Sequence, residues 1–197
     1  MKKITDISQL DPNGVYTYAD YLTWQFEQTV ELVKGKLLKM VKPNRKHQEI
    51  SFQLNGLFYN VFKGLRYYAY AASFDVRLFD RKKSMKANKD VLTVVQPDLC
   101  VICDREKLDE KGCIGAPDLI IEILSASNSK KEMRTKKELC EENSVKEYWI
   151  IDPNNTSIEI HTLVEKNYKL HLLEAIEGKI NSIVIAGFEM ELKDIFQ

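Results

Sequence analysis

Two carboxylates stand where apolar residues are expected. Asp98 opens the run Leu99–Cys103, and Glu122 lies inside Leu119-Ile-Ile-Glu-Ile-Leu124. A lone carboxylate in a buried strand costs several kcal/mol unless it is paired, protonated or bound to a cation. Placed near the ends of adjacent strands, two such acids offer hard oxygen ligands to Mg2+ or Mn2+; Mg2+ in particular keeps several waters and takes few protein ligands. An ion held this way lowers the pKa of a bound water, polarises a phosphodiester and offsets charge developing on the phosphoryl oxygens. A basic partner is available in Lys136, which follows Lys130, Lys131 and Arg134 and shares a helical face with Met133 and Cys140. From a half-buried face it can orient the attacking water or stabilise the transition state. Lys137 is its rival for that role.

The elements that must position these groups follow from periodicity. Thr17–Trp24 predicts a short capped helix, and Thr29–Val33 with Lys36–Val41, split by Lys34-Gly35, predicts a hairpin. After Pro43-Asn44, the positions Ile50, Leu54, Leu57, Phe58 and Val61 repeat at helical spacing until Lys63-Gly64. Strands are expected at Tyr67–Ala72, Asp75–Phe79 and Val91–Val95, the last two separated by the polar run Asp80–Asp90. The runs at Leu99–Cys103 and Leu119–Leu124 are apolar enough for strands covered on both faces, which places them centrally in a sheet. Ser129-Lys-Lys-Glu132 has capping-box spacing, so a helix is expected over Lys130–Glu142 with Asn143 as its stop. Further strands are expected at Tyr148–Ile151, Ser157–Leu163, Tyr168–Leu173 and Ser182–Ile185. The unit Leu119–Leu124, Lys130–Glu142, Tyr148–Ile151 reads as a crossover joining parallel strands. The fold class is α/β: a mixed β-sheet flanked by helices, with additional β-hairpins, in a single domain over 1–197.

With 29 basic and 29 acidic residues, the chain has no global attraction to nucleic acid, so such contact must come from local patches. Neither a signal-length apolar run at Met1–Gly14 nor a bilayer-length segment is evident, which predicts a cytoplasmic protein with no membrane partner. Four cysteines are too few for a disulfide framework. Cys100 and Cys103 form a CxxC that could be a redox or zinc half-site. In a strand, however, residues three apart point to opposite faces, which favours buried structural cysteines.

Taken together, Pro117-Asp-Leu-Ile-Ile-Glu122-Ile-Leu-Ser125, then Lys136, then Glu147-Tyr-Trp-Ile-Ile-Asp152, resemble the putative restriction endonuclease family of the Uma-two type, within the PD-(D/E)XK nuclease superfamily. Glu31-Leu-Val-Lys-Gly-Lys36, His47 and Gln96-Pro-Asp98-Leu99 fall in the family's order, so the resemblance spans Trp24 to Leu163. It implies a restriction-endonuclease-like domain and a Mg2+-dependent endonuclease acting on DNA, with a homodimer as the family-level expectation. Asp98 would be the motif aspartate and Glu122 its paired acid. Glu31 would be a further acid near the metal. Position 124 is Leu where the standard motif has lysine, and Lys136 on the following helix takes that role. The chain departs from the family at Ala126, usually proline, and at Cys140, usually tyrosine. The second departure leaves open a catalytically inactive interaction module of the same fold.

Each candidate also has a plainer reading. Asp98 could cap a turn, as Asp118 after Pro117 is expected to do, and Glu122 could be a structural buried acid paired with lysine. Glu31 could lie on the solvent face of its hairpin, and His47 could be a satisfied histidine in a helix's first turn. His47, Lys130, Lys131 and Arg134 are candidate nucleic-acid contacts, joined by Arg81, Lys82, Lys83, Lys86, Lys89 and Lys137 if the segments share a side. Tyr67, Tyr68 and Tyr70 are expected to line the core and sheet surface rather than stack bases.

Overall fold

The computed structural model describes residues 3–79, 91–125, 130–175 and 178–196, the side chains at 130–131 and 173–175 aside. The polar run Asp80–Asp90 with its cations, Ala126 and the Ser129 cap lie outside these residues. The first helix, α1 (Tyr18–Tyr21), is shorter than expected, but Thr17 and Asp20 close a reciprocal capping box at its start. Strands β1 (Val30–Val33) and β2 (Lys36–Lys39) form the expected hairpin. Its turn residues Lys34 and Gly35 both adopt positive φ, 49° and 79°, as a tight two-residue connection demands. Asn44 caps α2 (Arg45–Phe62) by accepting the His47 N–H, and Ile50, Leu54, Phe58 and Phe62 bury one stripe of it.

Among the described residues, two six-stranded sheets follow rather than one. β3 (Tyr68–Ala71), β6 (Leu99–Ile102), β9 (Leu119–Ile123), β10 (Glu147–Asp152), β11 (Ser157–Val164) and β12 (Asn167–Ala175) make the larger, in the order β12-β11-β10-β9-β6-β3. Here β9 and β10 are parallel, joined through α3 (Lys130–Glu142), as the crossover pattern predicts. β6 runs antiparallel to β9. The β1–β2 hairpin continues into a second sheet through β5 (Val94–Val95), β4 (Val76–Arg77), β8 (Gly112–Ile114) and β7 (Leu108–Asp109). Strands β7 and β8 are two and three residues long, too short for periodicity to announce them. Gly112, at φ 127°, is required because a Cβ there would meet the Asp75 carbonyl oxygen at 2.1 Å.

The apolar face of α2 packs with Leu99, Leu119, Ile121 and Trp149 on one side of the larger sheet, while Cys100, Ile120, Leu139 and Tyr148 pack on the other. The alternation within β6 and β9 therefore serves two cores, which explains their near-continuous hydrophobicity. The strand expected at Ser182–Ile185 is not formed; β13 (Lys179–Asn181) pairs with β14 (Glu189–Glu191) across it. Ser182 instead donates to Glu147 Oε2 at 2.7 Å and accepts the Val184 and Ile185 N–H groups, folding the segment into a bend. All four cysteines are free, with Cys100 buried and Cys103 half-buried beyond the end of β6.

Candidate active site

The segment Gln96–Asp98 steps from β5 in one sheet to β6 in the other, and the polar groups gather at this junction. Glu31 projects from β1, completely buried rather than on a solvent face. Its Oε1 accepts the Gln96 backbone N–H at 2.8 Å and Lys136 Nζ at 3.1 Å. Lys136 comes from α3, where Leu139 and Cys140 share its buried face and Lys137 is only half-buried. Its Nζ also donates to Glu122 Oε1 at 3.0 Å and Oε2 at 3.2 Å. The choice between the two lysines thus falls on Lys136.

Asp98 is tied to the same strand end: its Oδ2 accepts the Ile123 N–H at 2.7 Å, and its Oδ1 lies 3.1 Å from His47 Nε2. His47, Gln96, Asp98, Glu122 and Lys136 line one cavity of about 290 Å3. Arg134 is not brought there; it is exposed and paired with Glu138 one turn on. Lys130 and Lys131 occupy the first turn of α3, but their side chains lie outside those described.

Among the described residues, the carboxylates of the site outnumber the lysine bonded to them. Burial, with the neighbouring carboxylates of Asp98 and Glu31, pushes Glu122 up to about 8 in spite of Lys136. Burial also acts to discharge Lys136, but Glu122 and Glu31 outweigh it and hold the ammonium protonated. Lys136 therefore serves two of the three carboxylates, while Asp98 meets His47 and the Ile123 N–H. Among the described residues no three acidic, histidine or cysteine side chains already stand as a closed metal cage. What the cluster does hold is a buried Glu31 Oε2 without a hydrogen-bond partner and two carboxylates lining the cavity, a donor set suited to an ion that keeps most of its waters.

Beneath Glu31 lies a network that periodicity did not single out. The Gln96 side chain donates to Asp75 Oδ1 at 2.8 Å and to the Tyr21 hydroxyl at 3.1 Å, and the Tyr18 and Tyr21 hydroxyls both donate to Asp75. The signal available in the sequence was Gln96 itself, next to Pro97-Asp98. Asp118, by contrast, is the structural residue expected of it, accepting the Cys103 N–H at 2.8 Å and pairing with Lys146 and Lys107.

The chain matches, over residues 18–193, the family model described as Uma2, putative restriction endonuclease. It belongs to the Uma2 family. Among solved structures, this Uma2 chain is similar to a crystal structure described as a putative nuclease belonging to DUF820 from Anabaena variabilis ATCC 29413. The TM-score is 0.72 at 20% identity, covering 92% of this chain and 97% of that one, so the likeness is one of fold. No curated protein matches the sequence. Among the described residues of this Uma2 protein, no helix is long and apolar enough to cross a membrane. Cys140 is buried one turn from Lys136, which contacts Glu31 and Glu122.

Proposed function

We propose that this chain is a Mg2+- or Mn2+-dependent endonuclease of PD-(D/E)XK type, hydrolysing DNA phosphodiester bonds at the junction of its two sheets. The observation that carries the reading is that Asp98, just before β6, Glu122 of β9 and Lys136 of α3 line one cavity, with Glu31 of β1 buried behind Lys136 and bonded to it. Asp98 and Glu122 would hold the ion, with Glu31 Oε2 as a further oxygen. When bound, the ion lowers the pKa of a water and offsets charge on the phosphoryl oxygens. Lys136, fixed by two carboxylates, presents its ammonium where it can orient the attacking water or stabilise the transition state. The Ile123 N–H and His47 hold Asp98 in one orientation, so its free lone pairs need no reorganisation. Burial of Glu122 means that it gives up a proton when the ion arrives.

Calorimetry with Mg2+ and Mn2+ on wild type, Asp98→Asn and Glu122→Gln tests the site without knowledge of the recognised sequence. Binding in wild type that is lost in both variants is expected, together with a loss of about 10³-fold in cleavage for Glu122→Gln. Unchanged cleavage by that variant rules out the assignment. The homodimer implied by the resemblance is checked by sedimentation of the same samples.

A further inference from the structure

The crevice between α2 and β3 has the site's cavity at one end and a second hollow at the other. At the cavity end its walls are Gln48 and Ser51 of α2 and Ala72 and Ser73 just past β3. At the far end they are Asn55, Tyr59 and Lys63 from α2 and the residue after it, facing Tyr68 and Ala69 of β3. Gln48, Phe52, Asn55 and Tyr59 follow one another on a single helical stripe, so from Gln48 to Tyr59 the wall extends roughly 16 Å, room for a few nucleotides.

Three features of this groove match a nucleic-acid strand. Tyr59 is 70% exposed and Phe52 is 77% exposed, two large rings with an open face on the stripe that leads to the site. Exposed cations cluster at the far end: Lys63, Arg66 in the turn after α2, and Arg105, whose guanidinium lies 6.0 Å from the centre of the Tyr68 ring. Glu49, the acid on this stretch of α2, is already paired with Arg45. The remaining wall is β3, the edge strand of the larger sheet among the described residues, with Tyr68, Ala69 and Tyr70 at the far end and the small side chains of Ala72 and Ser73 past it toward the cavity. Tyr67 and Tyr70 are packed, against Phe62 and Phe74, so Tyr59 is the free platform.

We propose that the α2–β3 groove binds a single-stranded segment of DNA leading into the active site, with a base stacked on Tyr59 and its phosphates facing Lys63, Arg66 and Arg105. The identity of the strand rests on the nuclease reading above. A duplex keeps its bases stacked on one another and cannot offer a face to Tyr59, whereas an unpaired strand can, whatever its sequence. Because the chain carries no net positive charge, stacking has to supply part of the affinity that phosphate contacts alone would give a basic protein.

The test is fluorescence anisotropy of a labelled fifteen-nucleotide oligothymidylate and of a duplex of the same length, on the full chain with EDTA present so that nothing is cleaved. Tyr59→Ala is expected to weaken binding of the single strand about five- to tenfold, the lower end of what one base–aromatic stack supplies. Tyr59→Phe, which keeps the ring, restores it, and duplex affinity does not follow the series. Equal single-strand affinity of Tyr59→Ala and wild type overturns the proposal, as does wild type that binds no single strand. A change of oligomeric state in Tyr59→Ala also overturns it, because the groove is then covered by a second copy of the chain. If Glu122→Gln still cleaves DNA, the catalytic assignment fails and this binding result stands. If Tyr59→Ala binds as wild type does while wild type cleaves, the groove alone fails.

Discussion

Pro97-Asp98 and Pro117-Asp118 are the same dipeptide placed before antiparallel neighbours, and the fold treats the two aspartates almost symmetrically. Asp98 accepts the Ile123 N–H where β9 ends, and Asp118 accepts the Cys103 N–H just after β6 ends, at 2.7 and 2.8 Å. The difference lies in what else reaches them. Asp118 is closed by Lys146 at 2.7 Å, with Lys107 3.9 Å away, and these cations pull its carboxyl below the ordinary range although burial pushes the other way. Asp98 faces a cavity shared with Glu122, and Lys136, the lysine that lines it among the described residues, is engaged by Glu122 and Glu31. Identical local chemistry thus yields a structural joint, a carboxylate closed by lysines, at one end of the sheet and, at the other, a carboxylate held by a histidine and a backbone N–H in the wall of a cavity.

The largest effect expected is from removing the lysine at each end. Lys136→Met leaves Glu31 and Glu122 buried without a counter-charge, and a loss of about 3–5 kcal/mol is expected in urea unfolding. Lys146 is 62% exposed, so Lys146→Met should cost only about 0–1 kcal/mol, because water takes over the screening of Asp118. Equal losses in the two variants would mean that Lys136 is an ordinary surface partner.

Next in size is the exchange of the two acids. Asp118→Asn should cost about 1–3 kcal/mol at neutral pH, since a buried charge-assisted hydrogen-bond set is lost, and should leave Mg2+ binding untouched. Asp98→Asn should abolish ion binding in calorimetry while keeping the Ile123 contact, because the amide oxygen can still accept that N–H. An Asp118→Asn variant that also loses the ion would break the division between joint and site.

How far this division was legible in the sequence depends on the residue. Glu122 and Lys136 could be read because an acid in an unbroken apolar strand and a lysine on the buried face of a helix each violate a pattern. Both bounding elements, β9 and α3, were expected nearly as they stand, since long periodic segments carry the strongest signal. Glu31 could not be read in the same way. An alternating hairpin places acids outward by default, and only the second sheet, built from strands of two to four residues far apart in sequence, buries this one. The bend at Ser182–Ile185 was read as a strand because its apolar content is real; what overrides it is the hydroxyl of Ser182 reaching Glu147, a contact with no local signature.

A smaller effect separates the two ends by pH, with opposite signs. Glu122 holds its proton up to about 8, well above an ordinary glutamate, so its favourable contribution is complete below the ordinary value near 4.5 and is lost as pH rises through 8. Asp118 is lowered, so its contribution is present above the ordinary value of 3.8 and is lost as pH falls through the lowered one. In the absence of metal, melting temperatures should therefore move in favour of Glu122→Gln over wild type between pH 5 and 9. Asp118→Asn should lose its disadvantage only in acid. Melting curves of the three proteins across this range check both signs, and parallel curves for Glu122→Gln and wild type would place Glu122 in an ordinary, solvated setting.

Asp75 offers a third arrangement, in which a carboxylate accepts, among the described residues, from neutral groups: the Tyr18 and Tyr21 hydroxyls at 3.2 Å and the Gln96 amide at 2.8 Å. Burial and the Asp75 charge raise both tyrosines above the ordinary phenol range, so they remain donors at any working pH. Tyr21→Phe removes one donor to Asp75 and leaves the Gln96 side chain one acceptor short, while the Gln96 backbone N–H stays on Glu31. Stability should fall by about 1 kcal/mol in urea unfolding, with ion affinity unchanged, because Glu31 is held through the backbone and not through the side-chain network. A tenfold loss of Mg2+ affinity in Tyr21→Phe would instead extend the site's support down through Gln96 to Asp75, and the boundary between joint and site would then lie one layer deeper in the fold.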